Sequence, residues 1–465
     1  MKKTLLFLIL NSQFLIPNSF AQTISGGGYH SLALCSDSTV RAWGDNGIGQ
    51  LGNGTFTTSN VPVQVSVLSG ITAIAAGAGH SLALKNDGTV RAWGSNSFGQ
   101  LGNGTITPSN VPVQVSAISG ITAIAGGGWH SLALKNDGTV WAWGGNFYGQ
   151  LGNGTNTDSN VPVQVNALSG ITAIAGGEEY SLALKNDGTV WTWGLNNYGQ
   201  LGNGTNTDSN VPVQVSALSG TAAIAAGVIY SLALKNDGTV RAWGNNSDGQ
   251  LGNGTNTDSN VPVQVSAISG ITAITGGGWH SLALKNDGTV WAWGFNLDGE
   301  LGNGANTNSN FPVQVSAVTS ITVIAGGEYH SLALRNDGTV WTWGYNWAGQ
   351  LGNGTNTDSN VPVQVIGLCQ MATGVEEENI STSLNIFPNP ISNSTTLSFS
   401  LTQSQKVSLK IFDVNGRLVT TLTDKIIEAG EHQIEFNAEK INAGIYFLKM
   451  QTGEFLKTEK LIITK

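Results

Sequence analysis

The chain has few charged residues and no long apolar run beyond its N-terminal segment, and each shortage excludes a class of protein. Charged residues make up 11% of its 465 residues, and residues 22–369 hold 9 Lys and Arg against 18 Asp and Glu. No basic run is present to neutralise phosphates, which argues against a nucleic-acid partner. No later stretch approaches the ~20 unbroken apolar residues that a membrane-spanning helix needs.

The first 21 residues are typical of a secretory signal peptide. They begin with the basic letters MKK, continue with an apolar run over residues 4–16, and end with a small-residue cleavage pattern at Ala21. Cleavage after Ala21 leaves Gln22 as the mature N-terminus. We therefore expect the mature protein to be exported, and either soluble or anchored by other means.

Glycine, in contrast, is abundant at 63 residues, and the chain repeats itself with a period of 50 residues. Seven copies align, and the motif GQLGNG that begins at Gly49 recurs in register down to Gly349, with Glu in place of Gln in the sixth copy. One column of the alignment is Trp in every copy: Trp43, Trp93, Trp143, Trp193, Trp243, Trp293 and Trp343. Repetition of this length predicts a propeller, a closed array or a solenoid.

Each copy contains four short strand candidates. In the second copy they span residues 71–75, 80–85, 90–94 and 111–115, separated by Gly, Asn and Asp clusters. The second and third are joined by NDGT, in which Gly88 permits the positive φ of a tight hairpin turn. This arrangement predicts an antiparallel sheet rather than a β-helix.

A proline recurs in the fourth strand candidate of every copy, as Pro112 does in the second. Proline cannot donate to a strand ladder, so the fourth strand is expected at the sheet edge and the small-residue strand ITAIA innermost. We therefore predict an all-β fold, a seven-bladed β-propeller over residues 22–369, with four strands in each blade.

The repeat pattern G-x-x-H-S-L-A-L-x-x-D-G-T-V-x-x-W-G-x-N-x-x-G-Q-L-G-N-G resembles the regulator-of-chromosome-condensation repeat, which forms seven-bladed propellers. The resemblance covers residues 22 to about 369. Four positions depart from it: Tyr180 and Tyr230 replace His, Ser38 replaces the turn Gly, and Glu300 replaces Gln. Proteins with such repeats have unrelated functions, so the fold alone does not choose a function.

The C-terminal residues 384–465 differ in composition and follow a predicted linker over residues 370–383. They resemble the type A C-terminal sorting domain of type IX secretion, a small β-sandwich, through PNP at 388–390, Asp413, the motif GIY at 444–446 and a basic terminus. The resemblance implies export, passage across the outer membrane, removal of this domain, and release or attachment at the cell surface.

Positions that vary among the copies are expected to gather on one face. In a meander, the loop between strands one and two and the loop between strands three and four lie at the same end of the blade. The varied positions are 28, 29, 45, 47 and 48 and their equivalents, and several of them are acidic, namely Glu178, Glu179, Asp248 and Asp298. Eleven of them are aromatic: Tyr29, Phe98, Trp129, Phe147, Tyr148, Tyr198, Trp279, Phe295, Tyr329, Tyr345 and Trp347.

Such a ring of aromatic side chains is typical of a recognition face, because aromatic residues are enriched in binding surfaces. The alternative is that these are drifting surface loops whose aromatic rings pack on neighbouring blades. The sequence does not choose between selection and drift.

Catalytic and metal-binding interpretations are weaker. Neighbours on a strand point to opposite faces, so His80 and Ser81 cannot form a catalytic dyad. The histidine column suits hydrogen bonding better than a metal ring, because Tyr interrupts it twice. The pairs Glu178 with Glu179 and Asp298 with Glu300 resemble solvated loop charges more than the acid and base of a glycosidase. The NGTNTDSN loops favour Asx turns over Ca²⁺ binding.

Two cysteines are placed where the ring must close. Cys35 ends the second strand of the first copy and Cys369 follows the last copy, both at the hairpin end. We predict a disulfide between them, with two free thiols as the alternative, because an exported protein meets oxidising conditions.

The sequence thus favours a monomeric, secreted or surface-displayed propeller that binds a protein partner, with no enzymatic activity, cofactor or metal. Besides the partner, the C-terminal domain is expected to engage the type IX secretion machinery. The alternative is an enzyme acting on a polysaccharide or cell-wall polymer, or a glycan-binding protein, since aromatic platforms also stack on sugars. The sequence does not identify the ligand.

Overall fold

The computed structural model describes residues 21–369, 384–401, 404–414, 416–452 and 455–464, the side chains of residues 455–458 excepted. The described residues form two compact units, one on each side of residue 370. The predicted signal peptide, except Ala21, and the predicted linker lie outside the described residues, so the domain boundaries stay predictions. No described helix is long and apolar enough to cross a membrane.

The first unit consists of seven antiparallel sheets of four strands, each in sequential order, which confirms the predicted seven-bladed propeller. The innermost strands are Ala21–Gly26, Ile71–Ala76, Ile121–Gly126, Ile171–Gly176, Thr221–Ala226, Ile271–Gly276 and Ile321–Gly326. The second strands are His30–Cys35, His80–Lys85, His130–Lys135, Tyr180–Lys185, Tyr230–Lys235, His280–Lys285 and His330–Arg335. The third strands are Val40–Gly44, Val90–Gly94, Val140–Gly144, Val190–Gly194, Val240–Gly244, Val290–Gly294 and Val340–Gly344. The outermost strands are Ser59–Gln64, Ser109–Gln114, Ser159–Gln164, Ser209–Gln214, Ser259–Gln264, Ser309–Gln314 and Ser359–Gln364.

The outermost strand differs slightly from the prediction. In the second blade the strand was predicted over residues 111–115. It begins two residues earlier, at Ser109, and ends one residue earlier, at Gln114. The register slips between Ala92 and Gly94, which lets Ser109 pair with Gly94. The strand therefore starts within the polar loop, and Pro112 lies on the edge strand as predicted.

The hairpin between the second and third strands is set by one residue with positive φ. Gly88 has a φ of 75°, and its N–H donates to the Lys85 carbonyl. Ser38 takes the same position in the first blade with a φ of 64°. The turn geometry is therefore kept even where its glycine is missing, in a backbone region that costs a residue with a Cβ roughly 1 kcal/mol.

The Trp column and the GQLGNG motif join neighbouring blades, which explains why both recur. The Trp93 Nε1–H donates to the Gln50 carbonyl of the preceding blade over 2.9 Å, and Trp43 donates to Gln350 across the closure of the ring. A Cβ on Gly52 would stand 2.6 Å from Trp93 Nε1, so this position excludes a side chain. Each core cluster in the propeller is accordingly shared by two blades.

The second unit is a small sandwich of two sheets, as the sequence predicted. One sheet contains Asn385–Phe387, Ser394–Leu401 and Gly430–Asn437 in that order. The other contains Leu418–Ile427, Gln405–Asp413, Gly444–Thr452 and Phe455–Ile463 in that order. A single apolar cluster that includes Leu397 from the first sheet and Leu409 from the second holds the two together.

Candidate functional site on the loop face of the propeller

The loop face is the end of the propeller formed by residues 27–29 and 45–58 and their equivalents in the other blades. It stands on a closed belt of hydrogen bonds between the His or Tyr that begins each second strand and the Ser of the next blade. His30 Nε2 lies 2.9 Å from Ser81 Oγ, and His330 Nε2 closes the belt 2.7 Å from Ser31 Oγ. Tyr180 OH takes the place of His 3.2 Å from Ser231 Oγ.

The protonation state of the histidines in this belt follows from their hydrogen-bond partners. Ser81 Oγ–H donates to the Gln50 carbonyl over 2.9 Å, so the imidazole N–H of His30 is the donor toward Ser81 Oγ. Burial lowers the pKa of His30 to about 4, which keeps the ring neutral near pH 7. Its Nδ1 has no partner and lies behind Gly27, where a Cβ would stand 2.3 Å from His30 Cε1. The histidine column therefore has a structural, hydrogen-bonding role.

A second ring, made by the backbone, surrounds the axis at the loop face. Gly28 N–H donates to the Ala78 carbonyl over 3.0 Å, and Glu328 N–H donates to the Gly27 carbonyl over 3.0 Å, which closes the ring from the last blade to the first. The intervening blades repeat this donation to the next blade. The axial opening inside the ring is lined by glycine and alanine, with Glu178, Val228 and Glu328 as its larger side chains.

The two axial carboxyl groups are partly desolvated. Burial raises the pKa of Glu328, and the charge of Glu178 raises it further. Burial alone raises the pKa of Glu178. Burial raises the pKa of Glu179 to about 7, with additional contributions from Glu178 and Asp208. The axial opening on this face therefore carries two carboxyl groups that repel each other, Glu178 and Glu328.

The predicted aromatic residues lie on the loop face, but they form two separate clusters rather than a continuous ring. At the closure between the last and first blades, Tyr29 stacks on Tyr329 with centroids 5.3 Å apart, and Tyr345 meets both rings edge-on at 6.1 Å. Rings from neighbouring blades pack together here, so the packing proposed as the alternative to recognition does occur at this seam.

The second cluster joins the second and third blades. Phe98 meets Trp129 edge-on at 5.5 Å and Phe147 at 5.7 Å. Gly145 lies beside them, where a Cβ would stand 3.3 Å from Trp129 Cβ. Despite these contacts Phe147 is 61% exposed and Trp129 is 37% exposed. Packing therefore orders the rings while leaving much of their surface to solvent.

The other predicted aromatic residues make no ring-to-ring contact among the described residues. Trp347 is 75% exposed, Tyr198 is exposed, and three are partly buried, namely Tyr148, Trp279 and Phe295. The acidic positions Glu178, Glu179, Asp248 and Asp298 are partly buried in the same loops. Six of the eleven aromatic residues therefore form two clusters of three, and the other five are not part of a cluster.

One carboxylate of the face, Glu328, was missed by the sequence analysis. It occupies the same repeat column as Glu178, which was the signal that could have identified it. Asp45 was missed as well, and its Oδ2 accepts a 2.6 Å hydrogen bond from Gln50 Nε2 beneath the loop. Apart from its two Glu residues the Glu328 column contains only Gly, Ala and Val, and the Asp45 column has a different residue in every copy, so neither column shows a consistent carboxylate.

The side-chain Nε2 of the buried Gln in the GQLGNG motif donates a hydrogen bond to the residue five positions earlier where that residue is Asp, Ser or Asn. Gln250 Nε2 donates to Asn245 Oδ1 over 2.6 Å, whereas Gln350, beside Tyr345, has a buried Nε2 with no partner. Glu300, beside Phe295, is in the same situation: its Oε1 has no partner although Oε2 accepts the Asp298 N–H. Burial raises the pKa of Glu300 to about 7.

The polar loops and the serine column are occupied by structural bonds. Thr155 N–H donates to Asn153 Oδ1 over 3.1 Å, which is the Asx turn that the sequence favoured. Ser81 is bonded to His30 and Gln50 of the preceding blade. No group of three or more potential metal ligands occurs among the residues that the structure describes.

The two cysteines meet at the opposite end of the propeller. Cys35 and Cys369 are joined by a disulfide, with their Cα atoms 5.5 Å apart and a separation of 334 positions in sequence. Both lie in a core cluster that contains Trp43 of the first blade and Leu332 of the last. Whether the exported protein contains this bond stays a prediction, which is developed in the Discussion.

Comparison with known families identifies both units. A family model described as RCC1-like domain matches residues 9–269. Two models of the Regulator of chromosome condensation repeat match later copies, one at residues 287–334 and 337–375 and the other at 271–300 and 321–350. A model described as Secretion system C-terminal sorting domain matches residues 385–464.

Solved structures with the same fold include human WBSCR16 and Prp20p from Saccharomyces cerevisiae. Human WBSCR16 is 26% identical with a TM-score of 0.65, and the match covers 71% of this chain and 95% of that one. Prp20p, whose structure is described with its binding properties to Gsp1p and histones, is 22% identical with a TM-score of 0.64 over 76% of this chain and 88% of that one. At that identity the likeness to Prp20p establishes the fold alone.

A curated relative matches over a short segment. RCC1 domain-containing protein RUG3, mitochondrial, from Arabidopsis thaliana, is 44% identical over 46 residues, which is 10% of this chain and 10% of that protein. The segment corresponds to about one repeat, so it supports the repeat and carries nothing of that protein's role to this chain.

Proposed function

The chain belongs to the family of RCC1-like domains, and we propose that it is a secreted or cell-surface module that binds another protein through the loop face. The observation that carries this proposal is where the copies differ. The hairpin, the His or Tyr and Ser belt and the Trp column are nearly constant, whereas the loop positions change from blade to blade and expose large aromatic side chains such as Trp347 and Phe147.

Exposed aromatic side chains suit a protein interface because they bring a large contact area at a small entropic cost. Those of the second cluster are also held in place by contacts with each other, so little ordering remains to be done on binding. Binding needs no more than this face, and we propose that the protein has no enzymatic activity. In particular, Glu300 is fully buried and unsuited to act on a polymer.

The sorting domain supports the proposed location. A domain of this type is expected to direct the protein through type IX secretion to the cell surface or the medium. A partner would then be a protein of the surface or of the surroundings.

The proposed function is tested by replacing Trp129 and Trp279 on the loop face with alanine. We expect a full-length Trp129→Ala and Trp279→Ala variant to lose at least about tenfold in affinity for a protein captured by the wild-type protein, because hot-spot aromatic residues each contribute roughly 1 to 2 kcal/mol. Capture from surface extracts followed by titration of the purified partner measures the change.

A matched control uses tryptophans of the same two blades that lie in the third strand, away from the loop face. Trp141 and Trp291 occupy a position where three other blades have Arg, so Trp141→Arg and Trp291→Arg are compatible with the fold. We expect this control variant to bind like the wild type. Unchanged binding by the loop-face variant, with thermal unfolding also unchanged, would reject the loop face as the binding surface.

A further inference from the structure

The cations of the propeller all lie at the end opposite the loop face. This hairpin face is the end formed by the turns between second and third strands, residues 36–39 and their equivalents. Every Lys and Arg within residues 21–369, all of which the structure describes, either directly precedes this turn or follows it by two residues: Arg41, Lys85, Arg91, Lys135, Lys185, Lys235, Arg241, Lys285 and Arg335. The loop face therefore has no cationic side chain.

On the hairpin face the cations are compensated locally. Each turn contains an Asp, and Lys85 Nζ lies 2.9 Å from Asp87 Oδ2 while Arg335 Nη1 lies 3.5 Å from Asp337 Oδ2. The seven turn Asp residues thus nearly balance the nine cations at this end. The net electrostatic field at the hairpin face is therefore small and attracts a charged partner only weakly.

On the loop face the carboxylates have no such compensation. Besides the buried Glu300, the face contains Asp45, Asp158, Glu178, Glu179, Asp208, Asp248, Asp258, Asp298, Glu328 and Asp358. They are close enough to act on each other, since Asp358 contributes to the raised pKa of Asp298 and Asp208 to that of Glu179. A cation that binds among them relieves this repulsion.

We propose that the partner of the loop face is a protein with a cationic, arginine-rich surface. The inference rests on the proposed function and adds the chemistry of the partner. Guanidinium groups pair with carboxylates through two parallel hydrogen bonds and also stack on aromatic faces, and five of the seven blades present both a carboxylate and an aromatic ring on this face. Trp129 lies in the blade next to Glu178, and Tyr329 is adjacent to Glu328 in sequence, so one arginine-rich segment reaches both kinds of group.

A labelled oligo-arginine peptide, compared with an oligo-glutamate peptide of the same length, tests the inference by fluorescence anisotropy on the full-length protein. We expect binding of oligo-arginine alone, weakening as NaCl rises. The titration is run at pH 8, because the pKa of Glu179 is raised to about 7 and its carboxyl group is mostly ionised only above that pH. The loop-face variant Glu178→Gln, Glu179→Gln and Glu328→Gln should then lose about tenfold in affinity, because three loop-face carboxylates are removed where the peptide lies.

The matched control removes the same number of charges from the hairpin face by Asp137→Asn, Asp187→Asn and Asp237→Asn. Asparagine keeps the Oδ1 that accepts the Thr139 N–H in the first of these turns, and we expect less than a twofold loss. Equal losses in the two variants, no loss in either, or no binding of oligo-arginine by the wild type would overturn the inference.

The purified partner separates this inference from the proposed function. If the Trp129→Ala and Trp279→Ala variant loses the partner while the glutamine variant and added NaCl leave binding unchanged, the loop face binds a protein that is not cationic, and only the inference fails. If neither variant changes binding of the partner, the proposed function and the inference fail together.

Discussion

Removing the disulfide is expected to lower the free energy of unfolding by roughly 5 kcal/mol, because a cross-link that closes a very long loop restricts the unfolded chain strongly. The bond between Cys35 and Cys369 closes a loop of 334 residues and joins the first blade to the last. Both positions are buried, so the variant Cys35→Ala and Cys369→Ala avoids placing a polar group in the core. Urea unfolding of the oxidised wild type and of the variant measures the difference.

The reducing agent provides the internal control. Dithiothreitol under unfolding conditions should bring the wild type close to the alanine variant and should leave that variant unchanged. Two free thiols in the exported protein before any reduction, detected by alkylation and mass spectrometry, would show that the bond does not form.

Replacing Glu300 with glutamine is expected to stabilise the propeller by roughly 3 kcal/mol above pH 7 and to have little effect below about pH 4.5. Burial raises the pKa of Glu300 from 4.5 to about 7, so the folded state holds its proton more tightly than the unfolded state. The wild type therefore loses stability as the pH rises from 4.5 to 7, and the variant does not lose this contribution. Unfolding of both proteins at a series of pH values gives the comparison.

The reciprocal substitution is the control for this prediction. The Nε2 of Gln350 also lacks a hydrogen-bond partner, because the residue five positions earlier is Tyr345 rather than Asp, Ser or Asn. Gln350→Glu should therefore introduce the same loss of stability between pH 4.5 and 7 in the last blade. A Glu300→Gln variant whose stability follows the wild type at every pH would contradict the assignment of a buried, neutral carboxyl group.

Much of the fold follows from the sequence because the sequence repeats. The 50-residue period, the turn glycine represented by Gly88 and the edge proline represented by Pro112 predicted the blades, their strand order and the position of the outermost strand. The start of that strand at Ser109 was missed, since the register slip beside Gly94 is a backbone effect with no sequence pattern of its own.

The contacts between blades could not be read from the repeat. His30 forms a hydrogen bond with Ser81, which is 51 residues away in the next blade. The His and Ser columns are nearly constant, so their sequence does not show which two copies are bonded to each other. The aromatic clusters could not be predicted because the columns that form them vary from copy to copy. Phe98 meets Trp129 only because two varied columns of neighbouring blades happen to be aromatic together, and no single column predicts that pairing. Glu328 was overlooked although Glu178, in the same repeat column, was identified.

We propose that the loop face, and not the hairpin face, contacts a protein partner. Site-specific photo-crosslinking tests it directly, with p-benzoylphenylalanine in place of Phe147 on the loop face or of Asn136 on the hairpin face, both exposed positions in the same blade. A binding surface on the loop face predicts one crosslinked protein from position 147 and none from position 136. Crosslinking to the same protein from position 136, with none from position 147, would contradict it.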